Sequence, residues 1–166
     1  VSFDPALYSS ARGNWGTPAA LFDRLDAEFG FEIDAAALSN TAKIANYIGP
    51  DHKDWTRRDC LHNAWPGDGP AFMNPPYGRQ VGEFVRAGCS EGRRRVVVLL
   101  ILARTDTSWW HDYAMQAAEL RFIRGRVKFI DPDTGEGEHP CPAPSVVVVF
   151  RPEHEGPPVI GAMVRP

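Results

Sequence analysis

The sequence predicts an α/β fold of three layers, with a mostly parallel sheet and an antiparallel hairpin at one edge. Three observations predict it. Strand-sized apolar runs alternate with amphipathic helical stretches along most of the chain. After Arg95 the run to Leu102 is apolar throughout, which requires burial on both faces. The late strand stretches, residues 120–123 and 126–130, have no helical stretch between them, which favours antiparallel pairing. With 166 residues the chain suffices for one hydrophobic core, so residues 1–166 read as a single domain.

Residues 18–29 read as a helix, with Thr17 as N-cap, Pro18 at the first helical position, and Ala20, Leu21, Leu25 and Phe29 on one face. Gly30 ends it, and residues 31–34 form a short buried strand. Residues 40–47 read as a second helix, and 50–70 as a polar, irregular stretch whose most ordered part is 59–65. Residues 71–73 form a strand running into Asn74-Pro75-Pro76-Tyr77-Gly78. Residues 80–90 are an amphipathic helix carrying Val81, Phe84, Val85 and Cys89. The strand at 95–102 precedes a helix over 106–118, the two late strands, and a Pro/Gly-rich excursion over 131–144. Residues 145–150 close the sheet, and the tail after Arg151 is read as loosely held. In such sheets ligands bind beyond the carboxyl ends of the strands, where Asp34, Asn74 and Ala103-Arg104-Thr105 all fall.

An apolar fraction of 43% argues against disorder. No apolar run reaches membrane-span length, and Val1-Ser2-Phe3-Asp4 does not open a secretory signal, so neither membrane nor secretion is expected. Three scattered cysteines and five scattered histidines offer no metal-ligand spacing; free thiols in a reducing cytoplasm are expected. The net charge of -3 counts against a high-affinity nucleic-acid binder. Basic residues nevertheless cluster at Arg57-Arg58, at Arg93-Arg94-Arg95, and at Arg121, Arg124, Arg126 and Lys128. Each cluster fits either a phosphate contact or a solvated face.

The chemistry lies in Asn74-Pro75-Pro76-Tyr77. Neither proline has an N–H, and each stiffens the turn, so it presents carbonyl acceptors together with the Asn74 side-chain oxygen. Such a rim suits an –NH2 group. Acceptance of both N–H hydrogens by Asn74 and the Pro75 carbonyl would pull an aryl amine toward tetrahedral geometry, localise its lone pair and stabilise charge developing at nitrogen. Tyr77 offers a flat face on which an extruded base can stack, worth roughly 1–3 kcal/mol. On that view only the ring matters, and Tyr77→Phe should be tolerated. The bland alternative is a strand-ending turn.

The tetrapeptide looks like the catalytic motif of amino methyltransferases. Its surroundings resemble the phage-type DNA N6-adenine methyltransferase (Dam) family. These are Trp15-Gly16-Thr17-Pro18, residues 31–37, Asp59-Cys60-Leu61 with Trp65, Ala103-Arg104-Thr105-Asp106-Thr107 with Trp109-Trp110, Gly125-Arg126-Val127-Lys128-Phe129, and Pro144-Ser145. The resemblance covers nearly the whole chain in order. It implies a Rossmann-like methyltransferase fold without a separate target-recognition domain. It also implies methylation of adenine N6 in double-stranded DNA, with S-adenosylmethionine as cofactor, Asn74, Pro75, Pro76 and Tyr77 as catalytic residues, and the base flipped out of the duplex.

For the cofactor it implies Thr17 and Pro18 near the methionine part, Asp34 and Ala36 at the first cofactor motif, and Asp59 with Leu61 at the adenine ring. Ala35-Ala36-Ala37 departs from the glycine-rich form of that first motif; small side chains still permit close backbone approach. For DNA it implies Arg79, Arg104, Arg126 and Lys128. Trp109 and Trp110, adjacent on a helix, point about 100° apart, so one is expected in the core and the other nearer the site. A bacterial or phage-infected cytoplasm is the implied location, with no metal. The same rim would also accept cytosine N4, an RNA adenine or a protein glutamine amide. A binding module without catalysis is the reading from a different class.

Overall fold

A computed structural model describes residues 14–137, 141 and 143–166; Val1-Ser2-Phe3-Asp4 and part of the 131–144 excursion lie outside them. The strands are β1 (Ile33–Asp34), β2 (Ala71–Met73), β3 (Val97–Leu102), β4 (Glu119–Arg124), β5 (Ser145–Phe150) and β6 (Val159–Val164). The α-helices are α1 (Ala19–Phe29), α2 (Val81–Glu91) and α3 (Ser108–Asp112). One sheet takes the order β1-β2-β3-β5-β4-β6. Pairing is parallel from β1 to β3 and between β4 and β6, while β5 runs antiparallel to both β3 and β4.

The expected α/β architecture is therefore present, and α1 covers one face while α2 and α3 cover the other. On the α1 face, Leu21, Phe22 and Leu25 pack with Phe72, Val98, Leu100, Val147 and Val149. On the opposite face, Val85, Cys89 and Trp110 pack with Met73, Leu99, Ile101 and Val148. Alternation along the strands separates these two sets, and both faces of β3 and β5 are consequently apolar. Each large aliphatic or aromatic side chain so buried contributes about 1.5–3 kcal/mol. Within α1, Ala20 faces outward and Phe22 inward. The helix closes at Gly30, whose φ of 63° is left-handed and suits a residue without Cβ.

Several sequence expectations are corrected. Pro18, not Thr17, is the N-cap of α1, and no side chain caps that end; the Pro18 carbonyl accepts from the Leu21 and Phe22 amides. Residues 40–47 are not a helix. After one turn at Leu38 to Ala42 the chain runs beside β1 instead. There the Asp34 amide donates to the Asn46 carbonyl and the Ile48 amide to the Asp34 carbonyl. That backbone pairing outweighs a weak helical preference.

The helix expected over 106–118 is the short α3 followed by a 3-10 turn at Ala114–Gln116. Residues 126–130 are not a strand. Gly125, at φ 90°, turns the chain out of β4, and among the described residues only Ile130 is bridged, to Gly16 and Gly137. The antiparallel hairpin is β4–β5, and β5 lies inside the sheet. The tail is not loose: β6 pairs with β4 from Glu119↔Val159 to Arg124↔Val164 and forms the edge.

Candidate active site

Asp34↔Phe72 is in register between β1 and β2, so the carboxyl ends of these two parallel strands sit side by side. Asn74 follows β2 directly and is only 9% exposed. Its Nδ2 donates to the Trp15 carbonyl at 2.7 Å. The Tyr77 hydroxyl donates to Asn74 Oδ1 at 2.9 Å, sharing its one hydrogen with the Leu100 carbonyl at 3.2 Å. The Tyr77 ring is half-buried and packs edge-on against Phe129, with centroids 5.4 Å apart. Its hydroxyl is deep, and burial pushes its pKa well above the ordinary value, so it remains a donor. The sequence view of Tyr77 as a stacking face alone is therefore incomplete: the hydroxyl bonds the residue it was expected only to accompany.

Asp34 is 3% exposed. The Lys43 amide donates to its Oδ2 at 3.0 Å, whereas Oδ1 is buried with no hydrogen-bond partner. Burial pushes its pKa up to about 6, with the backbone amides of Lys43 and Ala36 partly offsetting the rise. A buried acceptor without a donor is costly, on the order of 1–3 kcal/mol. An ammonium group placed here would satisfy it. Ala35 and Ala37 are buried and Ala36 half-buried beside the carboxylate, small enough for a ligand to approach the main chain.

Asp59 accepts from the Leu61 amide at 2.8 Å and lies 2.7 Å from His62 Nδ1, so in this structure it organises its own turn. Leu61 packs on the core cluster of the sheet face that also holds Ala35, Ala36 and Ile48. Thr17 is buried. Pro18 shares a cleft of 230 Å³ with Leu21, Val127, Lys128 and Arg165.

Of the expected DNA contacts, Arg79, Arg126 and Lys128 are exposed. Val127 and Phe129 point inward between and beside the charges, as the alternation required, although no ladder enforces it. Arg104 is half-buried, with Nε 3.6 Å from Asp106 Oδ1. Trp110 is the core tryptophan, and Trp109 is half-buried. In the Arg93-Arg94-Arg95 cluster, Arg94 and Arg95 are structural. Arg95 is 2% exposed and donates to the carbonyls of Trp65, Pro66, Gly67 and Gly69, while Arg94 pairs with Glu91 and Asp68.

Sequence reasoning missed two features. The Trp15 carbonyl that holds Asn74 is a main-chain atom and leaves no mark in residue type. Ser145, at the start of β5 opposite Leu102, has a buried hydroxyl without a partner, and nothing in its surroundings in sequence announces that. Among the described residues there is no group of three or more His, Cys, Asp or Glu placed to hold a metal ion, and no helix is long and apolar enough to cross a membrane.

Comparison with known proteins identifies the family. A family model described as DNA N-6-adenine-methyltransferase (Dam) matches residues 5–165. A DNA N-6-adenine-methyltransferase of Haemophilus phage HP1 (strain HP1c1) is 29% identical over 147 residues, covering 84% of this chain and 79% of that protein. Another, of Escherichia phage T1, is 24% identical over 164 residues, covering 89% of this chain and 66% of its own length. With nearly every residue matched, and with the Asn74 turn and Asp34 at adjoining strand ends, the chain belongs to the DNA N-6-adenine-methyltransferase (Dam) family.

Proposed function

We propose that this chain, an adenine-specific DNA methyltransferase by its family, takes its methyl group from S-adenosylmethionine and acts on an adenine swung out of duplex DNA. The observation that carries this reading is the juxtaposition of a buried, donor-seeking Asp34 oxygen with the acceptor rim of Asn74 at paired strand ends. When bound, the cofactor supplies an electrophilic methyl on a sulfonium. Asp34 would hold its ammonium, with Thr17 and Pro18 near its methionine part and Ala36, Asp59 and Leu61 toward its nucleoside.

Asn74 Oδ1 and the Pro75 carbonyl accept the two hydrogens of the N6 amine and turn its lone pair toward the methyl carbon. Transfer would form the N–C bond as the donor's C–S bond breaks, and one N6 proton would then leave to water. Neither acceptor is basic enough to remove that proton first, so rate enhancement rests on orientation and on stabilising positive charge at nitrogen. Pro76 stiffens the turn, and the Tyr77 ring supports the base. Arg79, Arg104, Arg126 and Lys128 meet phosphates. No long insertion interrupts the described residues as a recognition module, which favours a relaxed or very short target sequence, read in a bacterial or phage-infected cytoplasm.

The test is transfer of tritiated methyl from S-adenosylmethionine to plasmid DNA, RNA and protein in parallel, followed by nucleoside analysis and sequencing of modified positions. Label in N6-methyladenine of DNA is the expected result. Label confined to RNA, to cytosine N4 or to protein glutamine overturns the reading, and a long unique target sequence overturns the part concerning specificity.

A further inference from the structure

The side-chain amide of Asn74 can face either way unless its neighbours decide, and here they do. The Trp15 carbonyl can only accept, so the atom 2.7 Å from it must be the NH2 end; a flipped amide would set two acceptors against each other. The Tyr77 hydroxyl, kept protonated by burial, donates to the other end. The Trp15 carbonyl is itself immobilised, because the next residue, Gly16, exchanges two backbone hydrogen bonds of 2.8 Å with Ile130. An amide oxygen has two lone pairs; Tyr77 takes one and the second is left for a substrate N–H.

We propose that the Trp15 main-chain carbonyl and the Tyr77 hydroxyl are positioning groups that lock the Asn74 amide with its oxygen turned to the substrate amine. This rests on the methyl-transfer reading above. The segment 126–130 thereby gains a second task. Besides carrying Arg126 and Lys128, it clamps Gly16 and so holds the amide in register.

Two variants test it. In Asn74→Asp the carboxylate has no hydrogen for the Trp15 carbonyl, whereas the protonated acid does. At saturating cofactor and DNA, kcat of N74D should fall about tenfold per pH unit between pH 7 and 9, while wild type stays flat. Tyr77→Phe keeps the ring and loses the donor. It should lower kcat on the order of 10-fold, with KM for DNA within about twofold of wild type. Tyr77→Ala should raise KM as well. A flat N74D profile, or Y77F with wild-type kcat, overturns the proposal, and if N74D does not fold the Y77F result decides alone. Wild-type protein that labels no DNA would sink the functional reading itself, a result separable from either variant.

Discussion

Asp34 is the residue whose environment most clearly asks for something. Its carboxyl is raised to about 6 by burial, against an ordinary value of 3.8. Between these values the folded state binds more protons than the unfolded one. Its contribution to stability is therefore complete below pH about 4 and is lost as pH rises to about 6, on the order of 2–3 kcal/mol in all. An ammonium partner favours the ionised form. We expect S-adenosylmethionine affinity to fall about tenfold per pH unit below 6 and to be level from there to about 7.5, where the ligand's own ammonium begins to lose its proton; calorimetry should show the acid slope vanish in Asp34→Asn.

Asn74→Ala removes the partner of the Trp15 carbonyl and one acceptor of Tyr77, costing about 1–3 kcal/mol in a melting experiment. Turnover should drop by roughly 10²–10³ while cofactor affinity stays near wild type. Equal losses in stability and rate would make the residue structural. At this scale the sequence was legible in part. Asn-Pro-Pro-Tyr declares acceptors without donors, but the atom that orients Asn74 lies 59 residues away and belongs to the main chain.

Among the elements, the segment after β1 shows most clearly what a one-dimensional pattern cannot reveal. Residues 40–47 have helical composition, yet their neighbour across space is a two-residue strand whose edge offers backbone partners, and those partners decide the conformation. Gly49 completes this arrangement. A Cβ there would sit 1.7 Å from the Ala37 carbonyl oxygen, a backbone atom with nowhere to go. Gly49→Ala should therefore lever the 46–49 segment off β1, lowering the melting temperature and weakening S-adenosylmethionine binding together; an unchanged affinity would separate this segment from the site.

Elsewhere periodicity served well where an element buries its own apolar face, as in α2 and β3. It failed at 126–130 and after residue 151, because whether a strand forms depends on which neighbour remains unpaired. β4 has an open edge once β5 has taken its other side. The stretch that fills it is β6, whose residues Val159, Ile160 and Val164 stay exposed and so give no alternating signal.

For the whole molecule, a net charge of -3 is compatible with DNA because the basic residues divide by task. Arg121 and Arg151 are committed to Glu28 and Glu119, and Arg94 and Arg95 to the loop at 65–69. Arg126 and Lys128 remain at the surface, on the segment that pairs with Gly16 through Ile130. Replacing either with Ala should weaken binding to all DNA sequences alike and reduce the slope of log affinity against log salt by about 1. A loss confined to one sequence would mean base reading instead.

The position of β5 has a further consequence, for biosynthesis. Residues 145–150 are the seam between β3 and β4, yet they leave the ribosome after both. Until they emerge, the nascent polypeptide holds the β1–β3 fragment of sheet and an unpaired β4, both with open edges, a state prone to mispairing. Maturation of this protein is thus gated by translation of one late valine-rich hexapeptide. A stop codon just upstream of it should yield insoluble product rather than a smaller working enzyme.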